Sequence, residues 1–203
     1  MFPQQVLLEL HDHSLRGQVL GEGLQPGAVS IEAPLPALTC RNGMPLEKEP
    51  LGDLIGDLMV RDNLIEPIVL AALPPAAVQC RVLEWWPLRE ALDDPMESLR
   101  RIEPSLNLPF SLQEANIDLQ PLHGTGPVML LAAAPRKLLE AWIQVFNMAG
   151  VRLERLAPAQ SCQLAALHPL LQEASSDQLI ALVDAGPEDR RLLLMRQAMP
   201  VFE

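Results

Sequence analysis

The sequence contains no tyrosine, and aromatic residues make up only 3% of its 203 residues. Basic residues are also few: Lys and Arg number 15 against 26 for Asp and Glu, which gives a formal net charge of -11. A nucleic-acid partner needs cationic side chains that displace counterions from phosphate, so this composition argues against such a partner. The same negative charge opposes direct binding to anionic lipid headgroups.

Cysteines and long apolar segments are scarce as well. Cys40, Cys80 and Cys162 are odd in number and far apart, which favours neither a disulfide framework nor a zinc knuckle. No apolar run approaches the roughly 20 residues of a membrane-spanning helix, and the first residues lack the features of a secretion signal. We therefore expect a cytoplasmic protein with reduced thiols and no direct membrane insertion.

Aliphatic residues and prolines, by contrast, are abundant. Hydrophobic residues make up 49% of the chain, enough to offset chain entropy in a folded core. The 20 prolines predict frequent turns between short elements. The length suits one domain of ordinary size or two small ones.

The first third predicts a hairpin, a third strand, an amphipathic helix and a fully buried strand. The polar residues His11 to Ser14 separate two apolar runs, as in a hairpin with a short loop. The stretch from Pro34 to Pro45 shows no clear period. The elements are predicted at Gln5–Leu10, Leu15–Leu20 and Ala28–Ala33, in a helix from Pro50 onward, and at Pro67–Leu73.

The middle of the chain has a strand, helix, strand, strand order, which predicts a small α+β unit. Its elements are predicted at Val78–Trp85, Pro95–Leu106, Ala115–Leu122 and Val128–Ala134. Alternating helices and strands then return, with a helix closed by Gly150 and a terminal hairpin. These elements are predicted at Arg136–Ala149, Val151–Leu156, Ala159–Leu171, Gln178–Asp184, Arg191–Met195 and Met199–Phe202. We expect a core of residues 1–77 and 135–203 with an insertion at 78–134.

Several segments in this order and spacing resemble one known family. They are the helix from Ser98 followed by Leu108-Pro109-Phe110, the stretch through Ala149-Gly150-Val151, and Leu182-Val183-Asp184-Ala185-Gly186. Together they resemble the PilM family, the cytoplasmic actin-like component of type IV pilus assembly, related in fold to FtsA. The resemblance implies an actin-like (ribonuclease H-like) mixed α/β sheet with a small inserted α+β subdomain.

The resemblance also implies two phosphate loops, with Ser14 and Arg16 in the first and Asp184 and Gly186 in the second. The first loop departs from the family pattern because it has no glycine, and glycine lets backbone N–H groups approach phosphate closely. His11 and Asp12 there oppose a polyanion.

The second loop departs as well, since Arg190 stands where the family has a threonine hydroxyl. The sequence ends at Glu203, about half the family's usual length. We therefore expect nucleotide to bind weakly or not at all, with ATP and Mg²⁺ retained as the alternative cofactors.

Two groups of residues could suggest a metal site. His11 and His13 with Asp12 have a spacing that is too common to be diagnostic, so a solvated turn is favoured. Asp184 with Glu188 and Asp189 could hold Mg²⁺ through oxygen ligands. A charged loop is the favoured interpretation there, and we predict no metal.

No catalytic residue is predicted. Ser161 and Cys162 could place a nucleophile near a helix start, but no histidine is spaced to activate the thiol. An N-capping Ser161 and a buried Cys162 are therefore favoured. A stripe of apolar residues at helical spacing, Leu138, Leu139, Trp142, Val145 and Phe146, is expected to be core.

Two function hypotheses follow. The favoured one is a PilM-like scaffold of a type IV pilus or related secretion platform, peripheral to the inner membrane, that binds the short cytoplasmic tail of a bitopic PilN-like protein. In a strand, Trp85 and Trp86 point to opposite faces, so one of them could line a partner groove while the other serves the core, and ordinary core packing is the alternative for both. The alternative is an actin-like ATPase or a fragment of one. The oligomeric state is left open.

Overall fold

The computed structural model describes residues 4–21, 26–84, 95–121, 128–172, 178–185, 190–196 and 199–202. The chain divides into two compact units, the first made of Met1–Val78 and Ala134–Cys162, the second of Gln79–Ala133 and Gln163–Glu203. The domain bounds predicted from the sequence stay a prediction.

The described residues form a mixed α/β structure. Its strands are β1 (Gln5–Leu10), β2 (Ser14–Leu20), β3 (Pro26–Pro34), β4 (Cys40–Arg41), β5 (Met44–Pro45), β6 (Ile68–Leu73), β7 (Gln79–Glu84), β8 (Ala115–Pro121), β9 (Val128–Pro135), β10 (Arg152–Pro158), β11 (Leu179–Ala185), β12 (Arg190–Arg196) and β13 (Met199–Phe202). Its helices are α1 (Lys48–Arg61), α2 (Pro95–Leu106), α3 (Arg136–Met148) and α4 (Ala159–Gln172), and α4 begins in the first unit and ends in the second.

The first unit contains a five-stranded mixed sheet in the order β10-β6-β1-β2-β3. β1 and β2 form the predicted hairpin, in which Leu10 lies opposite Leu15. β6 pairs in parallel with β1 on one side and with β10 on the other. The predicted buried strand is therefore the central one of three parallel strands, and Val69 within it is fully buried.

Helices α1 and α3 pack against each other. The apolar spacing in each helix puts one stripe into the core, namely Leu51, Ile55, Leu58 and Met59 of α1, and Leu138, Ala141, Trp142, Val145 and Phe146 of α3. The predicted core role of the α3 stripe is confirmed, with Leu139 only half-buried. Gly52 permits the close approach, because a Cβ atom there would lie 2.8 Å from the Cβ of Met148.

The second unit contains two three-stranded sheets, β7-β9-β8 and β11-β12-β13. A cluster of leucines, which we call the leucine core, is buried with α2: Leu83, Leu99, Leu106, Leu112 and Leu131. Two side chains hold the loop after α2, since Arg81 Nε donates to the Leu106 carbonyl at 3.3 Å and the Glu103 carboxylate accepts from Leu112 N–H at 2.8 Å. The Leu108-Pro109-Phe110 turn, one of the segments that resemble the PilM family, lies in this loop.

The element predictions are largely confirmed. α2 has its predicted bounds, and β12 and β13 pair as the predicted terminal hairpin. Gly150 follows α3 with a φ of 67°, as the predicted cap requires. The hairpin of β4 and β5 was not predicted. None of the helices in the described ranges combines the length and apolar character needed to cross a bilayer.

Candidate functional site

The carboxyl ends of the parallel strands β1, β6 and β10 meet at one edge of the five-stranded sheet. This is the edge at which α/β folds usually bind ligands. The turn from His11 to His13 follows β1, Pro74 follows β6, and α4 begins directly after β10. The polar and ionisable side chains from Glu9 to Arg16 and at the start of α4 therefore lie at this edge.

Glu9, near the end of β1, forms a pair with His11, the first residue of the turn. The Nε2 atom of His11 lies 3.4 Å from a carboxylate oxygen of Glu9, and the side chain of His11 is 19% exposed. The hydrogen bond with His11 lowers the pKa of the Glu9 carboxyl below its ordinary value, an effect that partial burial opposes. The positive charge of Arg16, which lies opposite Glu9 in the neighbouring strand, lowers this pKa further.

Asp12 has a structural role that the sequence did not indicate. One carboxylate oxygen accepts the Asn42 N–H and the other accepts the Gly43 N–H, each at 2.6 Å. The thiol of Cys40 lies 3.6 Å from the second of these oxygens. The turn after β1 is thus fastened to a hairpin about thirty residues further along the chain.

That hairpin consists of β4 and β5, in which Arg41 lies opposite Met44. Asn42 and Gly43 form its turn with φ values of 50° and 71°, the left-handed pair typical of a two-residue hairpin. A side chain at Gly43 would also be obstructed, since a Cβ atom there would lie 2.5 Å from the Cβ of Ala77. The Asn-Gly dipeptide was the signal that could have predicted this hairpin.

Trp142 of α3 holds the same turn from the other side. Its buried indole Nε1 donates a hydrogen bond to the carbonyl oxygen of Gly43 at 2.8 Å. Asp12 accepts a hydrogen bond from the N–H of Gly43, and Trp142 donates one to the carbonyl of the same residue. The edge of the sheet and the helix α3 are therefore linked through a single peptide turn.

Ser14 and Arg16, predicted for the first phosphate loop, both lie in β2, two residues apart on one face of the strand. Arg16 Nε is 3.4 Å from a carboxylate oxygen of Glu32 in β3, in a solvent-exposed pair. Its cation therefore lies between two carboxylates, those of Glu9 and Glu32, in the adjacent strands.

The other predicted site residues are only partly described. Asp184 lies near the end of β11, opposite Arg191 of β12, and its side chain is outside the described residues. Gly186, Trp85 and Trp86 also lie outside the described residues. Within the described part of the chain, no group of three or more His, Cys, Asp or Glu side chains could hold a metal ion.

The predictions for Ser161 and Cys162 were wrong. The helix α4 begins at Ala159, so Ser161 lies inside its first turn, and its hydroxyl donates to the Pro158 carbonyl at 2.9 Å. Cys162 is exposed, although neighbouring atoms desolvate its sulfur enough to raise the pKa of the thiol. A raised pKa leaves less thiolate, so the site lacks an activated nucleophile at this position.

No family model matches the sequence, and no curated protein matches it. Several solved structures, however, are similar to this chain. A chain of the PilM-PilN type IV pilus biogenesis complex is similar over 98% of this chain and 60% of its own length, with a TM-score of 0.73 and 25% identity.

Two further structures share the fold at low sequence identity. The cytoplasmic domain of EpsL, an inner-membrane component of the type II secretion system of Vibrio cholerae, matches with a TM-score of 0.57, 10% identity and coverage of 97% of this chain and 69% of its own. A protein of unknown function with an actin-like ATPase fold from Bacteroides thetaiotaomicron matches with a TM-score of 0.58, 8% identity and coverage of 98% and 68%.

These similarities establish the fold. The chain has an actin-like mixed α/β fold of the PilM type, as the sequence resemblance implied. It spans 60% of the length of the PilM-PilN chain that it matches.

Proposed function

We propose that this protein is a PilM-like scaffold of a type IV pilus or related secretion platform, and that it holds the short cytoplasmic tail of a PilN-like inner-membrane protein. The observation that carries the proposal is the similarity to a chain of the PilM-PilN complex over 98% of this sequence. The EpsL similarity supports a platform role more broadly, through the fold alone.

The charges at the sheet edge favour a scaffold over a nucleotide-driven enzyme. Asp12 places an added carboxylate where the resemblance implies phosphate, and Arg16 is already paired with Glu32. A triphosphate at this edge would be repelled by the Asp12 carboxylate, and Arg16 would have to leave its present partner. A protein that only holds a peptide needs none of these groups to change.

The net charge of -11 indicates the chemistry of the partner. A basic or amphipathic tail would be attracted over long distances by this charge, while apolar anchors would supply most of its affinity. Anionic headgroups would be repelled, so we propose that the protein lies at the cytoplasmic face of the inner membrane through its partner.

The residues that we propose to hold the tail were chosen from the sequence pattern. Trp85 or Trp86 is the proposed aromatic wall of the groove, because a large aromatic side chain at a groove is a common hot spot for binding. Replacing the groove tryptophan by alanine should weaken tail binding by about 2 kcal/mol or more. The non-groove tryptophan, replaced in the same way, serves as the matched control.

The experiment is co-expression of the protein with the tagged cytoplasmic tails of pilus inner-membrane proteins, followed by affinity capture at moderate salt. We expect one tail to retain the protein, and a version of that tail with its basic residues replaced by glutamine to retain less. If a demonstrably folded protein is retained by none of the tails, the scaffold proposal is wrong.

The alternative function is an ATPase, which the actin-like fold keeps open. In it, Ser14, Arg16, Asp184 and Gly186 would surround the phosphates, with Mg²⁺ as the cofactor. Calorimetric titration with ATP and Mg²⁺ separates the two proposals. A dissociation constant in the low micromolar range would favour the ATPase, whereas the scaffold proposal expects weak binding or none.

A further inference from the structure

The turn formed by Asn42 and Gly43 presents two neighbouring backbone N–H groups to one carboxylate. Both N···O distances are 2.6 Å, as short as hydrogen bonds from N–H to a charged acceptor become. Each N–H contacts a different oxygen of Asp12, so the spacing of the two donors matches the two oxygens of a carboxylate. Consecutive N–H groups in a turn form the kind of concave donor pair that binds anions.

The donor pair is held in place by contacts that do not involve Asp12. Trp142 Nε1 binds the Gly43 carbonyl at 2.8 Å in a buried position, and the packing of Ala77 and Pro74 leaves no room for a side chain at Gly43. The pairing of Cys40 with Pro45 closes the hairpin behind the turn. The turn therefore keeps its shape for reasons independent of the carboxylate that fills it.

Asp12, in contrast, belongs to the loop between β1 and β2, about thirty residues before the donor pair in the sequence. It is half-buried, while His13 beside it is exposed. The hydrogen bonds of Asp12 are thus the connection that fastens this loop to a preformed turn.

We propose that the Asn42–Gly43 turn is a binding site for a small carboxylate, and that Asp12 is the built-in ligand that fills it. The loop after β1 is ordered by this internal anion and needs no external one. An empty site should accept a small carboxylate such as formate, because the donors and their supports remain when the Asp12 side chain is removed.

The test uses the full chain and two variants at this position. Asp12→Ala empties the site, whereas Asp12→Asn leaves it filled by an amide that cannot offer two anionic oxygens. Each variant is melted in formate and in chloride at matched ionic strength. Asp53→Ala, which removes an exposed carboxylate from α1, is the matched control.

Asp12→Ala should melt about 4 °C or more below the unaltered chain, because hydrogen bonds to a charged group are lost. Formate should recover part of that loss in Asp12→Ala alone. Asp12→Asn should also melt lower but should show no response specific to formate, because its amide occupies the site. Asp53→Ala should behave like the unaltered chain in both salts.

Hydrogen exchange at the turn gives a second readout. The amides of Asn42 and Gly43 should exchange about ten-fold faster or more in Asp12→Ala, and formate should slow them again. Equal effects of formate on all variants, or an Asp12→Ala protein that melts and exchanges like the unaltered chain, would overturn the proposal. The test needs no partner tail and tail capture needs no formate, so this proposal and the proposed function can fail separately.

Discussion

The cores of the two units differ in that the first includes a packed aromatic pair among its aliphatic side chains. In the first unit, the rings of Trp142 and Phe146 pack with their centroids 6.0 Å apart, and the indole also donates a hydrogen bond to Gly43. The leucine core of the second unit consists of buried aliphatic side chains. An aromatic pair with a hydrogen bond depends on shape and direction, whereas an aliphatic cluster depends mainly on volume.

The largest expected effect comes from removing the indole of the aromatic pair. Trp142→Ala should lower the free energy of unfolding by about 4 kcal/mol, because it removes a fully buried ring and leaves the Gly43 carbonyl without its indole donor. Urea unfolding measures the change. Trp142→Phe keeps most of the apolar volume and should lose only about 1–3 kcal/mol. A Phe variant as stable as the unaltered chain would show that the hydrogen bond contributes nothing.

The leucine core should respond less and should tolerate a change of shape. Leu131 is fully buried there, so Leu131→Ala should cost about 3 kcal/mol, with faster hydrogen exchange first in β7 and β9. Leu131→Met conserves the volume and should cost less than about 1.5 kcal/mol. If Met were as damaging as Ala, the distinction between the two cores would not hold.

The contact of α1 with α3 allows a finer comparison within the first unit, between two glycines of α1 that lie one helical turn apart. A Cβ atom at Gly52 would lie 2.8 Å from the Cβ of Met148, so Gly52→Ala should cost about 2 kcal/mol through overpacking. At Gly56 the nearest atom would be 3.3 Å away, and alanine is the better helix former. Gly56→Ala should therefore stay within about 1 kcal/mol of the unaltered chain. Thermal melts of the two variants, run together, check the order.

The smallest expected effect is the acid response of the sheet edge. The folded pKa of Glu9 lies below its ordinary value of 4.5, mainly through its hydrogen bond with His11. A carboxyl with a lowered folded pKa stabilises the fold above its unfolded pKa and loses that contribution as the pH falls through the folded pKa. Glu9→Gln should thus flatten the loss of stability below about pH 4.5.

The effect should be modest because the Glu9 side chain is 44% exposed and solvent screens its interactions. Urea midpoints at a series of acid pH values measure it. Asp57→Asn removes an exposed carboxylate from α1, away from this pair, and is the control. A Glu9→Gln protein with the same acid slope as the unaltered chain would show that the pair with His11 contributes nothing to stability.

Local patterns were sufficient to predict most elements. The apolar spacing of α1 and α3 and the two apolar runs on either side of His11 to Ser14 are properties of neighbouring residues, so the helices and the first hairpin could be predicted within a few residues. The hairpin of β4 and β5 was missed because each of its strands has only two residues, too few to show a period. Only its Asn-Gly turn carried a local signal.

The candidate site was less predictable. Ser14 and Arg16 were identified by their resemblance to a phosphate loop, but the pairing of Arg16 with Glu32 depends on the register of β2 against β3. Asp12 was identified as a charge that opposes phosphate. Its hydrogen bonds to Asn42 and Gly43 join residues about thirty positions apart, and sequence spacing does not encode such a distance.

The α/β class, the positions of the helices and the negative net charge follow from composition and short-range periodicity alone. The position of β6 between β1 and β10, and the contacts by which Asp12 and Trp142 hold one turn from two sides, arise only in the folded chain. Strand order and such contacts depend on which distant segments meet when the core is buried, and many arrangements satisfy the same local pattern.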